Sequence, residues 1–180
     1  LMYSAIAAFA VGSYLGLNKD EIIEGIKAFS PAAGRMDFIQ CDRFLLIDSA
    51  FNANPASVKM AIDTLSGYDG KRIAVLGDML ELGAYSKQLH HELGAYVAAS
   101  NVDTLIAVGQ YAEDIKAGVN NKAVSVTVCQ NIEEGLNRAL VEIQVCCMSA
   151  QECTVLCKGS HGSEVYKIAD GLKKFGGLCG

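Results

Sequence analysis

Asp48-Ser-Ala-Phe-Asn-Ala-Asn-Pro55 and, farther along, Ala74-Val-Leu-Gly-Asp-Met-Leu-Glu-Leu-Gly83 decide how this chain reads. Each stretch begins in or just after a short apolar run, passes into a loop of polar groups and glycine, and leads into a helical pattern. Short apolar strands that alternate with helices belong to parallel sheets covered on both faces. In open sheets of that kind, ligands bind at the carboxyl ends of the strands.

Outward from these two stretches the alternation continues. Phe44 to Asp48 reads as a strand and Pro55 to Leu65 as a helix, with Pro55 suited to its first turn. Arg72 to Leu76 is a strand and Ser86 to Ala99 a helix. Thr104 to Val108 and Ala123 to Val128 are strands on either side of a short helix around Tyr111 to Ala117. Ile132 to Ile143 is helical, Thr154 to Cys157 a strand, and Gly162 to Phe175 the last helix. Phe38 to Cys41 adds a strand paired with Phe44 to Asp48. The expected class is α/β: a Rossmann-like, mostly parallel sheet with helices on both faces, in a domain over 35–180.

The amino-terminal stretch differs. Ala5, Ile6, Phe9, Ala10 and Val11 mark a helix that is apolar on most faces. Met2 to Leu17 is too short to cross a bilayer comfortably, lacks a basic leader and carries Ser4, Gly12 and Ser13, so it reads as a buried helix. Asn18-Lys-Asp20 breaks it, and Asp20 is placed to cap a second helix over Glu21 to Phe29. Ser30-Pro31 and the small residues through Gly34 read as a linker, with the domain boundary near residue 35. Leu1 enters a helical pattern without a cap, as expected if the amino end continues a longer protein.

Of 180 residues, 51% are hydrophobic and only 19% charged, enough to bury a large core. A net charge of −5 without a basic cluster excludes a nucleic-acid surface. The seven cysteines are odd in number and several lie in apolar strand-like runs, so they read as buried free thiols of a cytoplasmic protein. Cys146, Cys147, Cys153, Cys157 and His161 lack the paired Cys-x-x-Cys spacing of a zinc site, and no metal is expected on them.

Candidate ligand contacts lie on the loops. Asp48 ends a strand where a carboxylate can accept from a ribose or position metal-bound water, or simply cap the turn. Asn52 can both donate and accept, whereas Asn54 reads mainly as the N-cap ahead of Pro55. Arg35, beside Gly34, can clamp phosphate or ribose at a domain junction, or be a solvated linker arginine. Gly77 to Gly83 is neither a Walker A loop nor a dinucleotide fingerprint. Its Asp78 and Glu81 are acceptors that can face the ammonium of an incoming amino acid, or water. Lys158-Gly-Ser160-His161-Gly162 follows a strand and opens a helix. Its amides and Lys158 suit a carboxylate, with helix capping by Ser160 as the alternative. His90 and His91 are adjacent on a helix, about 100° apart. His91 reads as surface and His90 as loosely placed near the Gly77 to Gly83 loop, neither as catalytic.

Gly34-Arg-Met36, the Asp48 to Pro55 stretch, Gly77-Asp-Met-Leu-Glu-Leu-Gly83 and Lys158-Gly-Ser160 together resemble the Mur ligases. Within that family they resemble the branch that joins D-alanyl-D-alanine to UDP-N-acetylmuramoyl tripeptide in peptidoglycan synthesis. The resemblance implies the carboxyl-terminal domain of an ATP-dependent amide ligase, with residues 1–34 as the helical tail of a central ATPase domain. ATP and Mg2+ would be held mainly by that central domain, and no catalytic residue is expected in this chain. Arg35, Asp48, Asn52 and Ser4 would contribute to the ATP site. Asp78, Glu81, Lys158, Ser160 and His161 would bind the acceptor. Partners would be the central and amino-terminal domains, the UDP-muramoyl tripeptide and D-Ala-D-Ala, in a monomer with no membrane span.

The chain also departs from the family. Ser49, Ala50 and Phe51 stand where an aspartate, a serine and a tyrosine are usual, Ser4 replaces an asparagine that contacts adenine, and His161 a frequent arginine. Two other readings stay open: a sister ligase of the same superfamily, one adding a different amino acid or of cyanophycin or folate type, and a non-catalytic α/β binding module.

Overall fold

The computed structural model describes residues 2–29 and 34–177, in two compact units, Leu1–Ala32 and Ala33–Gly180. In the first, α1 (Met2–Tyr14) is followed by α2 (Lys19–Lys27). Asn18, not Asp20, caps α2. Its side chain accepts the Glu21 N–H while the Glu21 carboxylate accepts the Asn18 N–H, both at 2.9 Å, a reciprocal capping box. Gly12 of α1 meets Ile22 of α2, where a Cβ would come within 2.9 Å of the isoleucine. Within this unit only α2 covers α1, so the helix read as buried leaves Tyr3, Ile6 and Tyr14 exposed. Among the described residues no helix is long and apolar enough to cross a membrane.

The second unit contains, among the described residues, six strands: β1 (Asp37–Gln40), β2 (Leu45–Ser49), β3 (Lys71–Leu76), β4 (Thr104–Val108), β5 (Ser125–Cys129) and β6 (Cys153–Lys158). They form one sheet in the order β1-β2-β6-β3-β4-β5, parallel except for β1, which pairs antiparallel with β2. The last strand in sequence is thus inserted between β2 and β3. Helices α3 (Pro55–Ser66), α4 (Ser86–Ala98), α5 (Ala112–Gly118), α6 (Ile132–Met148) and α7 (Tyr166–Phe175) cover it.

Successive side chains of a strand point to opposite faces, and the two faces build two cores. Ile73, Val75, Ile106 and Val155 pack with Ile143 of α6 and with Ile168 and Leu172 of α7. Ala74, Leu76, Leu105 and Leu156 pack with Ile62 of α3, Leu93 of α4 and Ile115 of α5. This explains why the strands read as unbroken apolar runs rather than alternating ones. Gly94 and Gly118 let α4 and α5 meet backbone to backbone, since a Cβ on either would run into the other helix.

The structure moves several boundaries. α6 runs on to Met148, because Cys146 extends the buried stripe of Ala139 and Ile143 and the helix ends only where Ala150 takes φ 50°. β5 starts two residues later than its pattern suggests. The single last helix is interrupted: a 3-10 turn, His161–Ser163, precedes Glu164 at φ 60°, and α7 begins at Tyr166. A left-handed residue cannot continue a right-handed helix. The linker read over 30–33 lies outside the described residues.

Each fully buried leucine or isoleucine contributes about 1.5–3 kcal/mol by leaving water. Leu156, on the central strand, has no exposed surface. Leu156→Ala should therefore cost about 2–5 kcal/mol in urea unfolding, whereas Met60→Ala, at a 64% exposed site, should stay within about 0.5 kcal/mol.

Candidate functional site at the carboxyl edge of the sheet

The candidate residues of the second unit gather where β2, β3 and β6 end side by side. Asp48 and Lys158 occupy neighbouring strands, yet they do not pair. The register sets Asp48 opposite Cys157 and Ser49 opposite Lys158, so alternation sends the two charges to opposite faces. Asp48 is 3% exposed. Its Oδ1 accepts the Ala50 N–H at 3.1 Å, and its Oδ2 accepts from Lys173 Nζ of α7 at 2.8 Å. Lys173 also donates to Asp170 at 3.0 Å. Burial works against the Lys173 charge, but the hydrogen bonds to Asp48 and Asp170 outweigh it and raise its pKa.

Lys158 is 4% exposed and meets a different fate. Its ammonium donates to the carbonyl of Asn52 at 2.5 Å and to that of Ser49 at 3.3 Å. No carboxylate pairs with it among the described residues. Burial lowers its pKa to about 8. The sequence suggests an ammonium turned toward an anion; here it is committed to the β2–α3 loop. Ser160 likewise does not cap the following turn. Its Oγ accepts the Leu80 N–H at 2.9 Å and donates to the Ala53 carbonyl at 3.4 Å, while its own N–H donates to the Asp78 carbonyl at 3.0 Å.

The Gly77 to Gly83 loop is divided by this arrangement. Asp78 points inward, 7% exposed, and accepts the backbone N–H groups of Gln110 at 2.9 Å and Tyr111 at 3.0 Å. Glu81 is exposed, at φ 64°, and its carboxylate has no partner among the described residues. The two acceptors that look equivalent in sequence therefore differ: one is structural wiring, the other faces solvent.

Arg35 is exposed and lies over the Phe51 ring, 4.1 Å from its centroid, a cation–π contact. Gly34 beside it takes φ 75° and accepts the Phe51 N–H at 3.1 Å, which fastens this segment to the β2–α3 loop. His161, also exposed, stacks on Tyr166 with centroids 4.8 Å apart, and the Phe51 ring lies tilted 6.0 Å away. The Asn52 side chain accepts only the N–H of its neighbour Ala53, at 2.8 Å, so its amide N–H groups have no partner among the described residues. Asn54 caps α3 as its sequence suggests, accepting the Ser57 N–H at 2.9 Å. Ser4 belongs to the first unit, exposed on the wall of an apolar groove of about 590 Å3 between α1 and α2.

Sequence reasoning missed three contributors. Lys173 sits among the charges of an amphipathic helix, and only the packing of α7 against β2 brings it to Asp48. Tyr111 follows β4 in the same position that the recognised loops hold after β2, β3 and β6, a signal that was available. His90 does lie beside the Gly77 to Gly83 loop as its sequence suggests, but it is fully buried and fixed rather than loosely placed, with its Nε2 2.9 Å from the Met79 N.

The Lys158 environment predicts an alkaline signature. Its pKa of about 8 in the folded chain compares with an ordinary 10.5, so between these pH values the unfolded chain binds more protons. Stability contributed by this group rises with pH across that window, by up to about 3 kcal/mol. Urea unfolding of the wild type from pH 7.5 to 10.5 should show this rise relative to Lys158→Met, which has no proton to lose.

Comparison with known proteins matches this geometry to a family. Residues 34–161 match the Mur ligase, glutamate ligase domain. The UDP-N-acetylmuramoyl-tripeptide–D-alanyl-D-alanine ligase of Haemophilus influenzae is 31% identical over 175 residues, covering 94% of this chain and 37% of that protein. A crystal structure of MurF from Acinetobacter baumannii superposes with a TM-score of 0.88 at 33% identity, over 94% of this chain and 37% of that one. The MurF ligase of Thermotoga maritima, solved in complex with ADP, shares the fold with a TM-score of 0.73 at 23% identity, over 92% of this chain and 36% of that one. The chain thus spans little more than a third of the length of these relatives. With the family matched over most of the six-stranded unit, this chain belongs to the Mur ligases, whose glutamate ligase domain it carries.

Proposed function

We propose that this chain is the carboxyl-terminal part of an ATP-dependent ligase that adds D-Ala-D-Ala to UDP-N-acetylmuramoyl tripeptide, and that it completes the nucleotide and acceptor sites of that enzyme. The observation that carries the proposal is the Gly77 to Gly83 loop. It is held at the carboxyl edge of the sheet by Ser160, and it exposes one unpaired carboxylate, Glu81. That is the group required to receive the ammonium end of an incoming dipeptide. The name of the Haemophilus influenzae relative supplies the identity of the two substrates.

In this reading residues 1–34 are the tail of a central ATPase domain and residues 35–180 are the carboxyl-terminal domain of the ligase. Bound ATP would supply the phosphoryl group that activates the tripeptide carboxylate for attack by the dipeptide amine. The residues of this chain bind and orient. Arg35 has exposed guanidinium donors for phosphate or ribose oxygens. Asp48 retains lone pairs beyond those used by Ala50 and Lys173, and these suit ribose hydroxyls. The free amide of Asn52 adds donors to the nucleotide site. Glu81 takes the dipeptide ammonium. The exposed imidazole of His161 and the loop amides around it suit the dipeptide carboxylate, with Lys158, Ser160 and Asp78 holding the loops that carry them. Among the described residues no group of three or more His, Cys, Asp or Glu could hold a metal ion. The resemblance to the Mur ligases is what assigns Mg2+ mainly to the central domain.

The chain contains no Gly-Lys-Thr/Ser loop, so the 180 residues alone should release no phosphate from ATP when given both substrates. The binding assignment has its own test. An NMR titration with D-Ala-D-Ala at millimolar concentration should shift the amides of Gly77 to Gly83 and of His161 and Gly162, and L-Ala-L-Ala should not. Equal responses to both dipeptides, or shifts confined to other surfaces, would withdraw the acceptor assignment.

A further inference from the structure

His90 lies in the second turn of α4, with its ring wholly buried. Nε2 accepts the Met79 N–H at 2.9 Å, and Nδ1 lies 2.6 Å from the Ser86 carbonyl oxygen. A carbonyl can only accept, so the proton is on Nδ1 and Nε2 is the bare acceptor. The ring stacks on Tyr111, centroids 4.5 Å apart and planes 21° from parallel. The Tyr111 backbone N–H in turn binds Asp78.

Three successive residues of the loop are therefore held by three different elements. Asp78 is tied to the β4–α5 loop through Gln110 and Tyr111, Met79 to α4 through His90, and Leu80 to the β6–α7 loop through Ser160. The next residue, Glu81, is the first without such a tie, and it takes a left-handed φ of 64° that a side chain disfavours. Such a conformation persists when its surroundings over-determine it, and the three ties immediately upstream provide that.

We propose that His90, with Tyr111 stacked against it, is a positioning residue for the acceptor: by fixing the backbone at Met79 it sets where the Glu81 carboxylate stands. This inference rests on the acceptor role assigned above to the Gly77 to Gly83 loop. No contact between His90 and substrate is implied, since the imidazole is sealed inside the fold.

The test is steady-state kinetics of the complete ligase carrying this chain, with His90→Phe, His90→Gln and Glu81→Gln. Phenylalanine keeps the volume and the stacking but cannot accept from Met79. It should raise the KM for D-Ala-D-Ala at least about tenfold, with kcat and the KM for ATP within about twofold. Glutamine, which restores an acceptor near Nε2, should recover most of that loss. In the 180-residue chain, 15N NMR of His90 should show the Nδ1–H tautomer; the Nε2–H tautomer would overturn the proposal. A His90→Phe enzyme that melts earlier but keeps its dipeptide KM, or whose ATP KM rises as much, would also overturn it, because the ring would then serve only the core. Glu81→Gln separates this outcome from failure of the underlying reading. An unchanged dipeptide KM there removes the acceptor role of the loop. A raised one, beside an unchanged His90→Phe, removes only the positioning role. If His90→Phe does not fold, Tyr111→Leu, which deletes the stacked ring but keeps the backbone N–H, gives the same decision by the same KM.

Discussion

Three parallel strands end together in the middle of this sheet, and the backbone groups of the loops that leave them have no further ladder to join. Buried polar groups must be satisfied, and β6 does this for both neighbours. The Lys158 carbonyl accepts the Gly77 N–H at 2.8 Å, Ser160 binds the backbones of Asp78 and Leu80 on one side and of Ala53 on the other, and the Lys158 ammonium takes the carbonyls of Ser49 and Asn52. The loops after β2 and β3 thus hold their shape through a strand that arrives roughly 80 residues after β3 in the chain and inserts between them. Contacts of such separation are expensive to close and form late. The candidate site is consequently the part of the molecule that exists only once the whole sheet does.

The two buried charges at this edge show two solutions to one problem. Asp48 is paired with Lys173, so its burial is compensated by an opposite charge held in place by Asp170. Lys158 has only carbonyl dipoles, which offset part of the desolvation cost, and its lowered pKa records the remainder. A buried unpaired ammonium is tolerated where it joins chain segments that nothing else joins. Here those segments are the end of β2 at Ser49 and the middle of the following loop at Asn52.

The substitutions that set this chain apart from its family acquire a physical meaning in the fold. Ala50 is fully buried in the core beneath the β2–α3 loop, where a bare hydroxyl would need a partner. Phe51, lacking a phenol, offers its ring face to Arg35 and lies tilted beside His161, which itself stacks on Tyr166. Hydrogen-bonding groups usual at these positions are exchanged for stacked surfaces. The Arg35 guanidinium is held above a ring, with its donors left for a ligand.

The α/β class, the mostly parallel sheet, the existence of nearly every helix and strand, the cap at Asn54 with Pro55 in the first turn, and the membership of the family motifs were all legible in the residues. Each depends on local patterning: strand runs buried on both faces, helical periodicity, and turn chemistry. Boundaries failed where a single backbone conformation decided them, as at Glu164 and Ala150, because a left-handed φ on an ordinary residue has no reliable mark in sequence. Among the site residues, sequence could nominate Asp48, Asp78, Glu81, Lys158 and Ser160 by their place after strands, but not sort them. Asp78 and Glu81 look alike in a string of letters; only the approach of the β4–α5 loop makes one a fastener and leaves the other free. Lys173 was invisible as a contributor for the same reason, and of His90 only its nearness to the loop was legible, not its buried hydrogen bond to Met79. Sequence by itself determined which side chains this edge of the sheet would have available. Tertiary structure decided which of them face one another, because hydrogen-bond partners across parallel strands are chosen by strand order and register, and those arise from packing over the whole chain.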